Sequence, residues 1–281
     1  VGFQTDNDTD NYGKYLETRG ASPSRGGRFF EIEGRRVQID TFPVGIETAI
    51  YARAARAAAH SPFIADVIAS LGGRKLLLGV DRLDYSKGIV QRLQAFEHLL
   101  EERPQWRGAA TFLQISPKSR EHAAGYKEMD DTVTALVGHI NGQYGEAAWT
   151  PIRYVNRSYS RKQLAGIYRC AQAALVTPLR DGMNLVAKEF VAAQDETDPG
   201  VLILSQFAGA ASELDGALIV NPHEKEGVSA AIERALTMPR DERIARHSRM
   251  MERVSDYDVT RWASAFVARL TEARQRWSLI D

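Results

Sequence analysis

Cysteine is almost missing from this chain. Cys170 is the only one among 281 residues, so no internal disulfide can form, and the cytoplasm is the expected compartment. It lies between a helical pattern and an apolar run and reads as a small packing residue, not a nucleophile. Net charge is missing too: 36 Lys plus Arg offset 36 Asp plus Glu. That argues against a nucleic-acid partner or a broad polyanion surface and leaves room only for a local basic pocket. No apolar run approaches the roughly 20 residues that a membrane span requires, so no membrane partner is expected. The opening Val1-Gly2-Phe3-Gln4-Thr5-Asp6 has no cationic region followed by an apolar core, as a secretory signal would. The six histidines show no metal-ligand spacing, no Ser–His–Asp or Cys–His arrangement can be argued, and no metal is expected. Two nucleotide motifs are also lacking. A dinucleotide fold would carry Gly-x-Gly-x-x-Gly after its first strand, but here an eight-residue gap separates Gly79 from Gly88. No Gly-Lys-Ser/Thr loop is present either. Neither NAD, FAD nor a P-loop nucleotide is expected, and no cofactor is implied.

What is present is alternation. Hydrophobic residues make up 44 % of the chain, ordinary for a packed protein. Short apolar runs occur at 75–80, 111–115, 152–155, 173–176, 201–204 and 217–220, with helical patterns near 88–103, 121–141, 160–170, 185–195 and 208–214. Continuous apolar strands alternating with helices predict a parallel sheet covered on both faces, an α/β doubly wound Rossmann-like domain. Ligands in that architecture sit at the carboxyl ends of the strands. Three further helices are expected at about 225–237, 240–254 and 258–276. The first 60 residues differ: a hairpin turning at Glu33-Gly34, then a linking helix near 47–71. This stretch is too short to form its own core and reads as the tail of another domain.

The densest signal is Arg180-Asp181-Gly182-Met183-Asn184-Leu185, running from an apolar strand into a helix that carries Glu189. Helix N-termini offer unpaired N–H groups and partial positive charge, which suit a phosphate. Two carboxylates beside a phosphate need another task, and gripping sugar hydroxyls is the natural one. The turn after the first strand, Asp81-Arg82-Leu83-Asp84-Tyr85-Ser86-Lys87, supplies two cations for a diphosphate, Arg82 and Lys87. Ser116-Pro117-Lys118-Ser119-Arg120 ends the second strand. There, helix capping by a serine and an Arg120 contact to a second anionic group, such as an acceptor phosphate, both stay open.

These segments, with Ile140-Asn141-Gly142-Gln143-Tyr144-Gly145, Trp149-Thr150-Pro151 and the Leu204-Ser205-Gln206-Phe207-Ala208-Gly209-Ala210 core, resemble the trehalose-6-phosphate synthase family over essentially the whole chain. The resemblance implies a retaining glycosyltransferase of the B-type fold that moves glucose from UDP-glucose to glucose-6-phosphate without a metal. It implies that Arg82 and Lys87 neutralise the donor diphosphate. Asp181 and the N–H groups of Gly182, Met183, Asn184 and Leu185 would hold the glucosyl hydroxyls and phosphate. Glu189 would accept from the ribose hydroxyls, and Arg120 would reach the acceptor phosphate. The resulting division is 1–60, tail of an amino-terminal acceptor-side domain and linker; 61–256, the nucleotide-sugar domain; and 257–281, a helix packing back toward the amino-terminal domain. On this expectation the chain is a carboxy-terminal portion that binds donor, is inactive alone and self-associates through a surface meant for burial. Two alternatives stand beside it. One is a related synthase with another nucleotide or acceptor, such as glycerol-3-phosphate; the other is a non-catalytic nucleotide-sugar-binding module.

Overall fold

The computed structural model describes residues 1–24, 26–117 and 124–278. Along the chain run β1 (Gly2–Phe3), α1 (Asp6–Thr18), β2 (Ser22–Pro23), β3 (Phe29–Ile32), β4 (Arg35–Gln38), β5 (Asp40–Thr41), α2 (Thr48–Ala58), α3 (Pro62–Leu71), β6 (Lys75–Val80), α4 (Ile89–Glu102) and β7 (Ala110–Ile115). There follow α5 (Ala124–Tyr144), β8 (Ile152–Val155), α6 (Arg161–Cys170), β9 (Ala173–Val176), α7 (Leu185–Ala193), β10 (Val201–Ser205), β11 (Leu218–Val220), α8 (Lys225–Thr237), α9 (Arg240–Asp256) and α10 (Val259–Ser278). Two compact units emerge, one of Val1–Glu47 with Asp256–Asp281, the other of Thr48–Ser255.

The larger unit holds six strands in the order β11-β10-β9-β6-β7-β8, every neighbouring pair parallel. The first strand, β6, sits mid-sheet. The chain winds outward through β7 and β8, returns to the other flank of β6 as β9, and winds outward again through β10 and β11. The direction reverses between β6 and β9, the point at which sheets of this kind place a ligand, at the carboxyl ends of the strands. Alternate strand residues serve the two faces. Leu77, Phe112, Leu175 and Ile203 join Leu93 and Phe96 of α4, Ile140 of α5 and Ile232 of α8 in one core cluster. Tyr51 of α2, Tyr168 of α6 and Phe190 of α7, all fully buried, form a second group, with ring centroids 6.3 and 6.4 Å apart.

Three expectations about helices needed correction. The linking helix is two helices, because Pro62 lacks the N–H that an unbroken helix would use; Ser61 instead caps a new start, accepting from the Ile64 N–H. The segment 208–214 forms only a 3₁₀ turn, Gly209–Ser212. And α1 went unforeseen, although Thr5 caps it by accepting from the Asp8 N–H.

In the smaller unit, β2, β3 and β4 form an antiparallel sheet, and β1 pairs in parallel with β5. Glu33 and Gly34 turn the β3–β4 hairpin, both at positive φ (51° and 69°), as a tight turn matching strand twist requires. Against the expectation that this stretch is too short for a core of its own, Leu16, Ala21, Phe30 and Ile39 make a small one, because α1 packs on the β3–β4 hairpin. Phe266 of α10 packs edge-on against Phe42 with centroids 4.9 Å apart. Among the described residues no helix is long and apolar enough to cross a membrane.

Candidate functional site

Three loops leave the carboxyl ends of β6, β9 and β10 and are stitched to one another by backbone. After β6, Asp84 accepts from the Ser86 N–H at 2.9 Å and from its hydroxyl at 2.8 Å, closing a 3₁₀ turn over Tyr85–Lys87. Gly88 ends that turn at φ 64°, and a Cβ there would stand 2.2 Å from the Thr177 carbonyl oxygen, so only glycine lets the two loops meet. The Leu179 N–H then donates to the Ser86 carbonyl at 2.7 Å. On the other side the Asp181 N–H donates to Phe207 O at 3.0 Å, the Gly209 N–H returns to Asp181 O at 3.0 Å, and the Ala210 N–H reaches Met183 O at 2.8 Å.

Within this frame Lys87 and Asp181 meet. The Nζ–Oδ2 distance is 2.7 Å, and the two side chains are 17 % and 18 % exposed, so the pair is mostly but not wholly withdrawn from water. Asn184 donates its amide to the same Asp181 oxygen at 3.0 Å, while its own oxygen caps α7 by accepting from the Ala187 N–H. Its φ of 84° is unusual for a residue with a Cβ and is held by these two bonds. Among the described residues the N–H groups of Gly182, Met183 and Leu185 have no protein acceptor, which leaves an electropositive helix start open beside the Lys87 head group. Behind it α7 is anchored by a buried Lys188–Glu213 pair at 2.6 Å.

Beneath the rim lies a polar hub that sequence reading missed. Arg92 of α4 has no exposed surface. It pairs with Asp81 at 2.8 Å and donates to Gln114 Oε1 at 3.1 Å, Thr177 Oγ1 at 3.0 Å and the Lys87 carbonyl at 3.2 Å. It thus ties together the ends of β6, β7 and β9 and the turn that carries Lys87. Gly79 makes room for it: a Cβ there would lie 2.6 Å from a guanidinium nitrogen and 2.2 Å from Gln114 Oε1. Burial pushes the Asp81 carboxyl above its ordinary pKa, and the Arg92 charge opposes that. The available signals were a cation on the apolar face Ile89, Leu93, Phe96, Leu100 and a glutamine inside a mostly apolar strand.

The remaining predicted residues fall as follows. Gly182, Met183, Asn184 and Leu185 form the loop and first turn of α7, and Glu189 lies on its next turn. Burial raises the Glu189 pKa, opposed by the Arg161 charge and the phenols of Tyr51 and Tyr168, two neighbours not foreseen from sequence. Arg82 is exposed on the same turn as Lys87 and has no ion pair among the described residues. Arg120 lies outside the described residues. Cys170 hydrogen-bonds to the Ile167 carbonyl, and burial pushes its thiol up to about 11, as suits a packing residue.

The chain matches the model of glycosyltransferase family 20 over residues 1–272. It is 48 % identical to a trehalose-6-phosphate synthase of Sinorhizobium fredii over 276 residues, which are 98 % of this chain and 60 % of that protein. Among solved structures, an α,α-trehalose-phosphate synthase (UDP-forming) of Burkholderia xenovorans in complex with glucose-6-phosphate superposes with a TM-score of 0.94 at 43 % identity, over 96 % of this chain and 60 % of that one. A trehalose-6-phosphate structure from E. coli bound with UDP-2-fluoro glucose gives a TM-score of 0.91 at 42 % identity, over 96 % and 60 %. The chain therefore spans about three fifths of the length of the curated relatives it matches.

Proposed function

The chain belongs to glycosyltransferase family 20, and we propose that its larger unit is the donor-binding part of an enzyme that transfers glucose from UDP-glucose to glucose-6-phosphate with retention, forming trehalose-6-phosphate. One observation carries this reading: the Lys87 ammonium stands beside the open N-terminus of α7 at the reversal point of the sheet. Lys87, with Arg82 from the same turn, neutralises the diphosphate. The N–H groups of Gly182, Met183 and Leu185 bind phosphate and sugar oxygens, Asp181 and Asn184 bind glucosyl hydroxyls, and Glu189 accepts from the ribose hydroxyls. Arg120 serves the acceptor phosphate. The smaller unit belongs to the acceptor-binding domain, and a cytoplasmic location completes the reading.

The chemistry follows from where charge appears. The bond from the anomeric carbon to the diphosphate oxygen breaks, and its electron pair leaves with the phosphate. The acceptor hydroxyl oxygen bonds to the same face of that carbon, and its proton passes to the departing phosphate oxygen. Fixed cations and helix N–H groups stabilise the growing negative charge more in the transition state than in the ground state. No carboxylate nucleophile is needed: Asp181 is taken up by sugar hydroxyls and the Asn184 amide, and Asp81 by Arg92.

Calorimetry with UDP-glucose tests the assignment. Arg82→Ala and Lys87→Ala should each weaken binding about tenfold or more, since each removes a charge-assisted contact to phosphate. Unchanged affinity in both variants rejects the diphosphate site. Competition by ADP-glucose or GDP-glucose decides the base.

A further inference from the structure

The cation that should hold the donor phosphate is already held. Lys87 Nζ lies 2.7 Å from Asp181 Oδ2. Both backbones are fixed: the Lys87 N–H donates to Asp84 O and its carbonyl accepts from Arg92, while Asp181 is stapled to Phe207 and Gly209. Any change of partner must therefore come from the side chains. A bare nucleoside diphosphate that recruits Lys87 leaves Asp181 as a mostly buried carboxylate with, among the described residues, the Asn184 amide as its remaining side-chain donor. Separating a desolvated pair without replacing the lost bond is unfavourable. A nucleotide sugar differs, because its hexose hydroxyls can donate to Asp181 in the ammonium's stead.

We propose that the Lys87–Asp181 pair is an exchangeable latch that discriminates against nucleoside diphosphates lacking the sugar. Sugar hydroxyls take over Asp181, Lys87 turns to the diphosphate, and both charges remain satisfied. Once the glucosyl group has left, Asp181 loses its hydroxyl donors and reclaims Lys87. The grip on the nucleoside diphosphate product loosens at that moment, which favours its release. The inference rests on the donor-site reading above and adds a coupling between two residues that the reading treats separately.

The test is a double-mutant cycle in calorimetry on the 281-residue chain, with UDP and UDP-glucose as probes. Asp181→Asn should bind UDP about tenfold more tightly, close to 1.4 kcal/mol, and UDP-glucose more weakly. In a Lys87→Ala background the same substitution should change UDP affinity by less than about twofold, since no latch remains to open. Equal tightening with and without Lys87 would mean simple repulsion between Asp181 and phosphate and overturns the latch. Unchanged or weaker UDP binding in Asp181→Asn overturns it as well. Asp181→Ala repeats the measurement should the asparagine variant melt early. If the unsubstituted chain binds neither probe, the donor-site reading itself fails, an outcome distinct from failure of the latch alone.

Discussion

Two ion pairs of almost equal length stand at the carboxyl end of the same sheet, and their surroundings set them apart. Arg92–Asp81 spans 2.8 Å with side chains 0 % and 3 % exposed; Lys87–Asp181 spans 2.7 Å with 17 % and 18 % exposed. Arg92 spends its remaining donors on Gln114, Thr177 and the Lys87 carbonyl, all within the protein. Lys87 has no such company: its one ion pair among the described residues is with Asp181, which sits beside helix N–H groups that lack acceptors. A pair whose every bond is used internally can only hold the frame. A pair at the edge of water, next to unused donors, can trade partners with a ligand. The first makes the second possible, because Arg92 fixes the turn from which Lys87 projects.

The comparison breaks most sharply at Arg92. Arg92→Leu leaves Asp81 buried without its partner and should destabilise the fold by about 3–5 kcal/mol, read by urea denaturation, because a single surviving charge in a dry site is far worse than the pair. Gly88→Ala comes next. The clash with Thr177 and the positive φ should together cost about 2 kcal/mol or more, and donor binding should weaken because the two loops can no longer meet. Lys87→Ala should show the opposite balance: a stability loss of about 1–2 kcal/mol, smaller than for Arg92→Leu because Asp181 keeps some water and the Asn184 amide, but UDP-glucose affinity down at least about tenfold.

The smallest effect concerns Glu189. Its pKa is raised in the fold by burial, so the folded state holds the proton more tightly than the unfolded chain. Stability from this group is therefore present below the ordinary carboxylate pKa and is lost as pH rises through the raised value. Glu189→Gln should remove that loss and flatten stability against pH between the two values. It should also weaken donor binding at neutral pH. A stability profile identical in both proteins removes the argument for a perturbed Glu189.

How much of this the sequence disclosed follows from range. The six strands were legible because a parallel sheet covered on both faces favours near-continuous apolar runs, and β7 and β8 keep that pattern around Gln114 and Arg153. The 180–189 loop was legible because glycine, asparagine and two acids interrupt that pattern directly after a strand. The break at Pro62 was also written locally, in Ser61-Pro62, yet an apolar helical pattern on either side masked it. Arg92 was hidden for another reason: on a helix whose other face is polar, one more cation attracts no notice until its burial is known. The Lys87–Asp181 pair joins positions 94 residues apart. Sequence reading put both residues on one rim, but assigned them to different parts of the ligand and did not foresee that they bind each other.

Everything proposed for the site depends on Lys87 holding a nucleotide-sugar donor at the β6–β9 reversal. Titration of UDP-glucose into this chain and into Lys87→Ala, each followed by a melting curve, tests it most directly. The expected result is one saturable site in the unsubstituted chain and an affinity lower by about tenfold or more in a variant that still melts cooperatively. Equal affinity in two well-folded proteins, or no binding to either, contradicts it.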